Sequence, residues 1–123
     1  MAKLILVIDD DPDQRRFLER MLTASGYRVA IVPDGEAGLA AAVAQPPDAI
    51  VLDVMMPRLN GFQTCRRLKK DPATAGCPVV MLTAKDQPAD QFWATEVGAD
   101  AFLTKPIDLP ILLDTLARLT DRP

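Results

Sequence analysis

The stretch Val7–Asp13, VIDDDPD, places four carboxylates, Asp9, Asp10, Asp11 and Asp13, within five residues. At ~4 Å and an effective dielectric near 20, one such pair costs about 4 kcal/mol. Asp53 stands alone in VLDVMMPRLNG, Thr83 in VVMLTAK and Lys105 in FLTKP. Asp9, Asp10 and Asp53 would together carry roughly −3, and a divalent cation with Lys105 would return about +3. Without a cation the acids would repel one another or take up protons. The chain contains no histidine, which excludes a Ser/His or Cys/His triad and any His-ligated metal. The available ligands are carboxylates and carbonyls, which favour hard cations such as Mg²⁺. A hydroxyl and an ammonium opposite a carboxylate–metal cluster suit phosphoryl transfer. An aspartate is a competent nucleophile for an acyl phosphate.

Those residues need elements to bring them together. Five apolar runs recur along the chain: Leu4–Ile8, Tyr27–Val32, Ala49–Leu52, Pro78–Leu82 and Ala101–Leu103. Most are short and apolar throughout, as parallel strands covered on both faces require. Helical patterns alternate with them. Phe17, Leu18, Met21 and Leu22 form a stripe closed by Gly26, and Ala37–Ala44 ends at Pro46-Pro47. Phe62, Cys65 and Leu68 mark a third helix, Pro88–Val97 a fourth with Gly98 just past its end, and Leu109–Leu119 a fifth capped by Asp108. Gln87 and Pro88 do not open a new domain. The pattern is (βα) repeated five times, which implies an open, parallel α/β sheet with right-handed crossovers. Sites in such sheets lie beyond the carboxyl ends of the strands. Asp9 and Asp10 follow strand 1, Asp53 strand 3, Thr83 strand 4 and Lys105 strand 5, so all leave one edge. Strand 2 ends in Val32-Pro33-Asp34-Gly35, which reads as turn chemistry.

Bland readings compete residue by residue. Asp11 directly precedes Pro12 and reads as a helix N-cap, with Asp13 favouring the helix dipole in the first turn. Thr83 alone is an ordinary strand-end residue, and Lys105 alone an ordinary solvated lysine. The basic group Arg66, Arg67, Lys69 and Lys70 reads as a solvated helix face. The constellation on several strand ends is more specific than any of its members.

Composition narrows the class. With 123 residues, 49% hydrophobic and 25% charged, the chain is sized and composed as one globular domain. A net charge of −3 argues against gripping a nucleic-acid backbone directly. Cys65 and Cys77 read as reduced thiols of a cytoplasmic protein. Met1-Ala2-Lys3 runs into the first strand without a signal-peptide pattern, and no apolar run is long enough to span a membrane.

In these motifs, VIDDDP, LDVMMPRLNG, MLTAK and FLTKP in order, the sequence resembles the CheY-like receiver domain of bacterial two-component response regulators over essentially its whole length. The resemblance implies a flavodoxin-like fold of strand order 2-1-3-4-5 and a single receiver domain spanning residues 1–123. It implies a phosphoprotein with Asp53 as phosphoacceptor and Mg²⁺ (or Mn²⁺) bound by Asp10, Asp53 and the backbone carbonyl of Met55. Asp9 would complete the acidic pocket through a metal-bound water. Thr83 would reach the phosphoryl group through its hydroxyl, Lys105 through its ammonium and Ala84 through its backbone N–H, and the Lys105–Pro106 bond would be cis. Phe102 matches the family's switch aromatic and would turn inward as Thr83 moves, its bland reading being an ordinary core aromatic. Phosphorylation changes the charge of an aspartate by only roughly −1, so the switch must work through new hydrogen bonds biasing a two-state surface. That surface would be helix 4, strand 5 and helix 5. Trp93 on helix 4 is bulkier than the family's usual residue. It reads as a partner anchor, with core packing as the alternative, because Phe92 and Val97 already supply apolar side chains for packing.

The implied protein is a signalling switch and not an enzyme in the ordinary sense, although it would catalyse its own phosphorylation and slow autodephosphorylation. Its partners would be a sensor histidine kinase or histidine phosphotransfer protein and a downstream effector or output domain, with a phosphorylation-dependent dimer and neither membrane nor direct nucleic-acid contact. An aspartate-nucleophile phosphohydrolase is disfavoured, because Met55 stands where a second acid would be and no cap domain fits. A phosphorylation-independent interaction module is the remaining alternative, and the intact set Asp9, Asp10, Asp53, Thr83 and Lys105 argues against it. Strand 1 starts almost at Met1 and the chain stops soon after helix 5, as in a stand-alone regulator or an N-terminal receiver cut before an output domain.

Overall fold

The computed structural model describes residues 2–84 and 88–121. Lys85 of the MLTAK motif and Gln87 lie outside them. Five strands alternate with five helices: β1 (Leu4–Ile8), α1 (Pro12–Ala24), β2 (Arg28–Val32), α2 (Gly35–Ala44), β3 (Ala49–Asp53), α3 (Gly61–Lys70), β4 (Val79–Thr83), α4 (Pro88–Glu96), β5 (Ala101–Thr104) and α5 (Leu109–Thr120). All strand pairs are parallel, in the order β2-β1-β3-β4-β5. The expected order and class are both met.

Uniformly apolar strands are explained by two cores. Successive side chains of a strand point to opposite faces. Leu6 and Ile8 of β1 pack with Ala42 of α2, Cys65 and Leu68 of α3 and Ala94 of α4. Ile5 and Val7 of the same strand pack with Leu18 and Leu22 of α1 and Leu112 and Leu116 of α5. Three helices thus cover one face and two the other, and every residue of β1, β3 and β4 is buried. Each fully buried Leu or Ile contributes roughly 1.5–3 kcal/mol.

Caps set the helix starts. Asp11 accepts the Asp13 N–H at 2.9 Å, with Pro12 first in the helix. Asp108 accepts the Ile111 N–H at 3.2 Å. Asn60 and Gln63 form a reciprocal capping box, each side chain accepting the other's backbone N–H at 2.9 Å. Gly26, at φ +97°, lies just past the end of α1, where a left-handed residue is needed.

Several sequence readings are corrected. Asp34-Gly35 is a helix start and not merely a turn: Asp34 accepts the Ala37 N–H at 2.8 Å and α2 begins at Gly35. Tyr27 belongs to the exit of α1, since its N–H donates to the Leu22 carbonyl, and β2 begins at Arg28. Phe17 leaves the buried stripe of α1 and is 43% exposed. Lys69 is no solvated charge. Its Nζ donates to Asp100 and to the Cys77 carbonyl, each at 2.9 Å, and the same Asp100 oxygen accepts the Val79 N–H. Arg67 pairs with Glu36 at 3.2 Å. Phe92 does not pack inward; it is 59% exposed, and Ala94 of α4 and Val97 just past its end supply the buried side chains. Both cysteines are buried and free, as expected. Among the described residues no helix is long and apolar enough to cross a membrane.

Candidate functional site

Parallel register aligns the strand ends. Ile8 pairs with Leu52, Asp53 with Leu82, and Thr83 with Thr104. The next residues along each strand therefore emerge on one edge. Asp9, Asp10 and Asp53 each offer a carboxylate oxygen there, and these oxygens lie within 4.8 Å of one another. Lys105 Nζ donates to Asp53 Oδ1 at 2.8 Å. The Lys105 N–H donates to the Thr83 carbonyl at 2.7 Å, which fixes the lysine beside the end of β4. The Lys105–Pro106 peptide is cis, as expected.

The loop after β3 is held against Asp53. The Val54 N–H donates to Leu82 O, and the Gly61 N–H returns to Val54 O, each at 3.0 Å. A Cβ on Gly61 would come within 2.4 Å of the Asp53 carbonyl oxygen and 2.7 Å of Val54 Cα. Only glycine permits that approach.

The acids differ in their surroundings. Asp10 is exposed, whereas Asp9 and Asp53 are buried. Asp9 Oδ1 accepts the Asp11 N–H at 2.9 Å. Asp9 Oδ2 is buried with no hydrogen-bond partner among the described residues. Burial raises Asp9 to a pKa of about 6, against the opposing Asp11 hydrogen bond, with Asp53 adding to the rise. Burial also pushes Asp53 up, opposed by the hydrogen bond and charge of Lys105. An unsatisfied buried oxygen, two carboxyls pushed toward the proton and an all-oxygen donor set fit a hard divalent cation.

Thr83 is buried at 1% exposure, and its hydroxyl donates to the carboxylate of Asp90 in the first turn of α4. Ala84 follows it half-buried. The Met55 side chain is 68% exposed and lines a cleft of about 500 Å³ with Asp10, Asn60, Phe62 and Asp90. Phe102 sits on β5, partly buried against the core of the α2/α3/α4 face. Trp93 is 48% exposed and meets Phe92 edge-on, with ring centroids 5.2 Å apart.

Asp9, Asp10, Asp53 and Lys105 are thus brought together as their strand-end positions predict. Asp11 and Asp13 are not in the cluster; they start α1. Two contacts were not legible. Arg15 donates to the Asp9 carbonyl at 2.8 Å. Asp90, an acid in a first helical turn, carried no sequence feature beyond a dipole-favouring charge.

A family model described as the response regulator receiver domain matches residues 5–117. The response regulator PleD of Caulobacter vibrioides is 48% identical over 120 residues, covering 98% of this chain and 26% of PleD. The chain therefore spans about a quarter of that relative. Protein PilH of Pseudomonas aeruginosa is 42% identical over 112 residues, covering 91% of this chain and 93% of PilH. Among solved structures, the receiver domain of the sensor histidine kinase PA1611 from Pseudomonas aeruginosa PAO1 superposes with a TM-score of 0.91. It is 30% identical, over 99% of this chain and all of that one, and has a magnesium ion coordinated in its active-site cleft.

Proposed function

The chain belongs to the response regulator receiver domain family, and from that membership we propose that Asp53 is its phosphoacceptor, in a Mg²⁺-dependent transfer from a phosphohistidine donor. Receiver domains of two-component response regulators act in phosphorylation-activated signalling. The observation that carries the site assignment is the Lys105–Asp53 pair at 2.8 Å beside the Asp9/Asp10/Asp53 cluster.

Lys105 opposes the upward push of burial on the Asp53 pKa, which favours the carboxylate form that acts as nucleophile. One Asp53 oxygen forms the new bond to phosphorus as the donor's bond to phosphorus breaks, leaving an acyl phosphate on Asp53. Lys105 then faces the added phosphoryl oxygens. The Thr83 hydroxyl and the Ala84 N–H supply two further donors from the end of β4. Asp10, Asp53 and the Met55 carbonyl would hold a magnesium ion, with Asp9 completing the acidic pocket, and the ion would supply positive charge against the transferred group. Hydrolysis of the acyl phosphate resets the protein slowly.

Thr83 and Phe102 couple the site to the surface formed by α4, β5 and α5. Exposed Phe92 and Trp93 on α4 and Ile111 on α5 support that surface as the output face. A histidine kinase or phosphotransfer protein would donate the phosphoryl group to Asp53, and an effector, an output domain or a second copy would read that face. Residues 1–123 would form one such receiver, working in the cytoplasm.

The test is incubation with Mg²⁺ and acetyl phosphate, followed by intact-mass measurement. The expected result is addition of one phosphoryl group to the wild type and none to Asp53→Asn. No modification of the wild type, by acetyl phosphate or by a phosphohistidine protein, would overturn the assignment.

A further inference from the structure

Thr83 has one hydroxyl proton. It is given to the Asp90 carboxylate, and Thr83 itself is buried. An ionised phosphoryl group on Asp53 offers only acceptor oxygens, so it needs that same proton. The two hydrogen bonds exclude each other. Asp90 is the third residue of α4 (Pro88–Glu96), which is anchored inward by Ala94, with Val97 buried just past its far end. Its first turn is thus tied to the end of β4 by the Thr83–Asp90 bond. Phe92 and Trp93, exposed at 59% and 48%, lie two and three residues beyond Asp90 on the same helix.

We propose that Asp90 is a positioning residue that holds the unphosphorylated state by keeping the Thr83 hydroxyl, so that phosphorylation frees the first turn of α4. The inference rests on Asp53 being the phosphoacceptor. Once Thr83 turns to the phosphoryl group, Asp90 loses its donor. It also lines a cleft with Asp10, whose carboxylate belongs to the cluster where Asp53 would gain negative charge. Both effects push the start of α4 away from the site, and the exposed aromatics move with it. A hydrogen bond to a charged acceptor biases such an equilibrium on the order of tenfold or more.

Trp93 is the only tryptophan of the chain, so its fluorescence reads α4 directly. The comparison uses wild type, Asp90→Ala, Asp90→Asn, Thr83→Val and the Asp90→Ala/Thr83→Val double variant. Each is measured first unphosphorylated and then with Mg²⁺ and acetyl phosphate. In unphosphorylated Asp90→Ala the emission shifts toward that of phosphorylated wild type, and phosphorylation adds little further change. Asp90→Asn keeps an acceptor oxygen and shifts less. Thr83→Val breaks the bond from the other side and gives a similar unphosphorylated shift, and the double variant adds nothing. Unphosphorylated Asp90→Ala and Thr83→Val spectra identical to wild type, or shifts that add in the double variant, would overturn the proposal. If one single variant fails to fold, the other with Asp90→Asn still decides it. Failure of the underlying assignment shows separately, as no phosphoryl uptake by the wild type.

Discussion

Removing the charge of Asp9 should stabilise the metal-free protein, chiefly at neutral pH. Asp9 is 1% exposed, and its Oδ2 has no hydrogen-bond partner among the described residues. Its pKa rises from 3.8 to about 6, chiefly through burial. Between those values the folded protein keeps a proton that the unfolded chain has released. Stability therefore falls as pH rises through that window, and the loss is complete above about pH 6. A rise from 3.8 to about 6 corresponds to about 3 kcal/mol. Asn at this position keeps an oxygen for the Asp11 N–H. Its amide hydrogens face carboxylate oxygens that lie within 4.8 Å of one another. Asp9→Asn should thus be up to about 3 kcal/mol more stable than wild type at pH 7.5 without metal, but only about 0.5 kcal/mol at pH 4. For a chain of this length the larger figure is on the order of 10 °C in Tm. The assay is thermal and urea unfolding followed by circular dichroism, with chelator present, at both pH values. Mg²⁺ should narrow the gap. At 100 times its Kd it adds about 2.7 kcal/mol to the wild type, and less to a variant that binds it more weakly. A variant no more stable than wild type at pH 7.5, or an equal gap at both pH values, would refute the reasoning.

The acidic run predicts a second contrast. Asp10→Asn should weaken Mg²⁺ binding on the order of tenfold or more in calorimetric titration, whereas Asp11→Ala should leave it nearly unchanged while costing about 1 kcal/mol of stability as a lost N-cap. Equal losses of affinity would remove the division between metal site and cap. Gly61→Ala, whose Cβ meets the backbone of Asp53 and Val54, should destabilise by about 1–3 kcal/mol in urea titration and slow phosphoryl uptake at Asp53. An unchanged unfolding midpoint would show that the loop after β3 yields freely.

The acids, Thr83 and Lys105 were legible because each closes an apolar run, and a parallel sheet sends all such ends to one edge. Tyr27 and Asp34 were misjudged at boundaries, where backbone bonding to Leu22 and a side-chain cap on Ala37 decide the outcome. Lys69 shows what periodicity misses. Helical phase places it on a polar face, but its stem reaches Asp100, 31 residues away. Phe92 was misplaced because the small Ala94 suffices to fill the space beneath α4. The Thr83–Asp90 bond is a tertiary contact between two ordinary residues, and neither residue type announces it.

The strand order also divides the site by chain segment. Asp9, Asp10 and Asp53 belong to β1 and β3 or their ends, and Thr83 and Lys105 to β4 and β5 or their ends. The boundary between the groups is the β3–β4 pairing. Gly76, in the connection between α3 and β4, has nothing within 4 Å of where a Cβ would stand. A chain cut at that glycine would carry every acid of the cluster on one fragment and its hydroxyl and ammonium on the other. The Lys105–Asp53 ion pair then exists only when the two fragments have zipped along β3 and β4, which makes the proposed phosphorylation site a built-in reporter of fragment complementation.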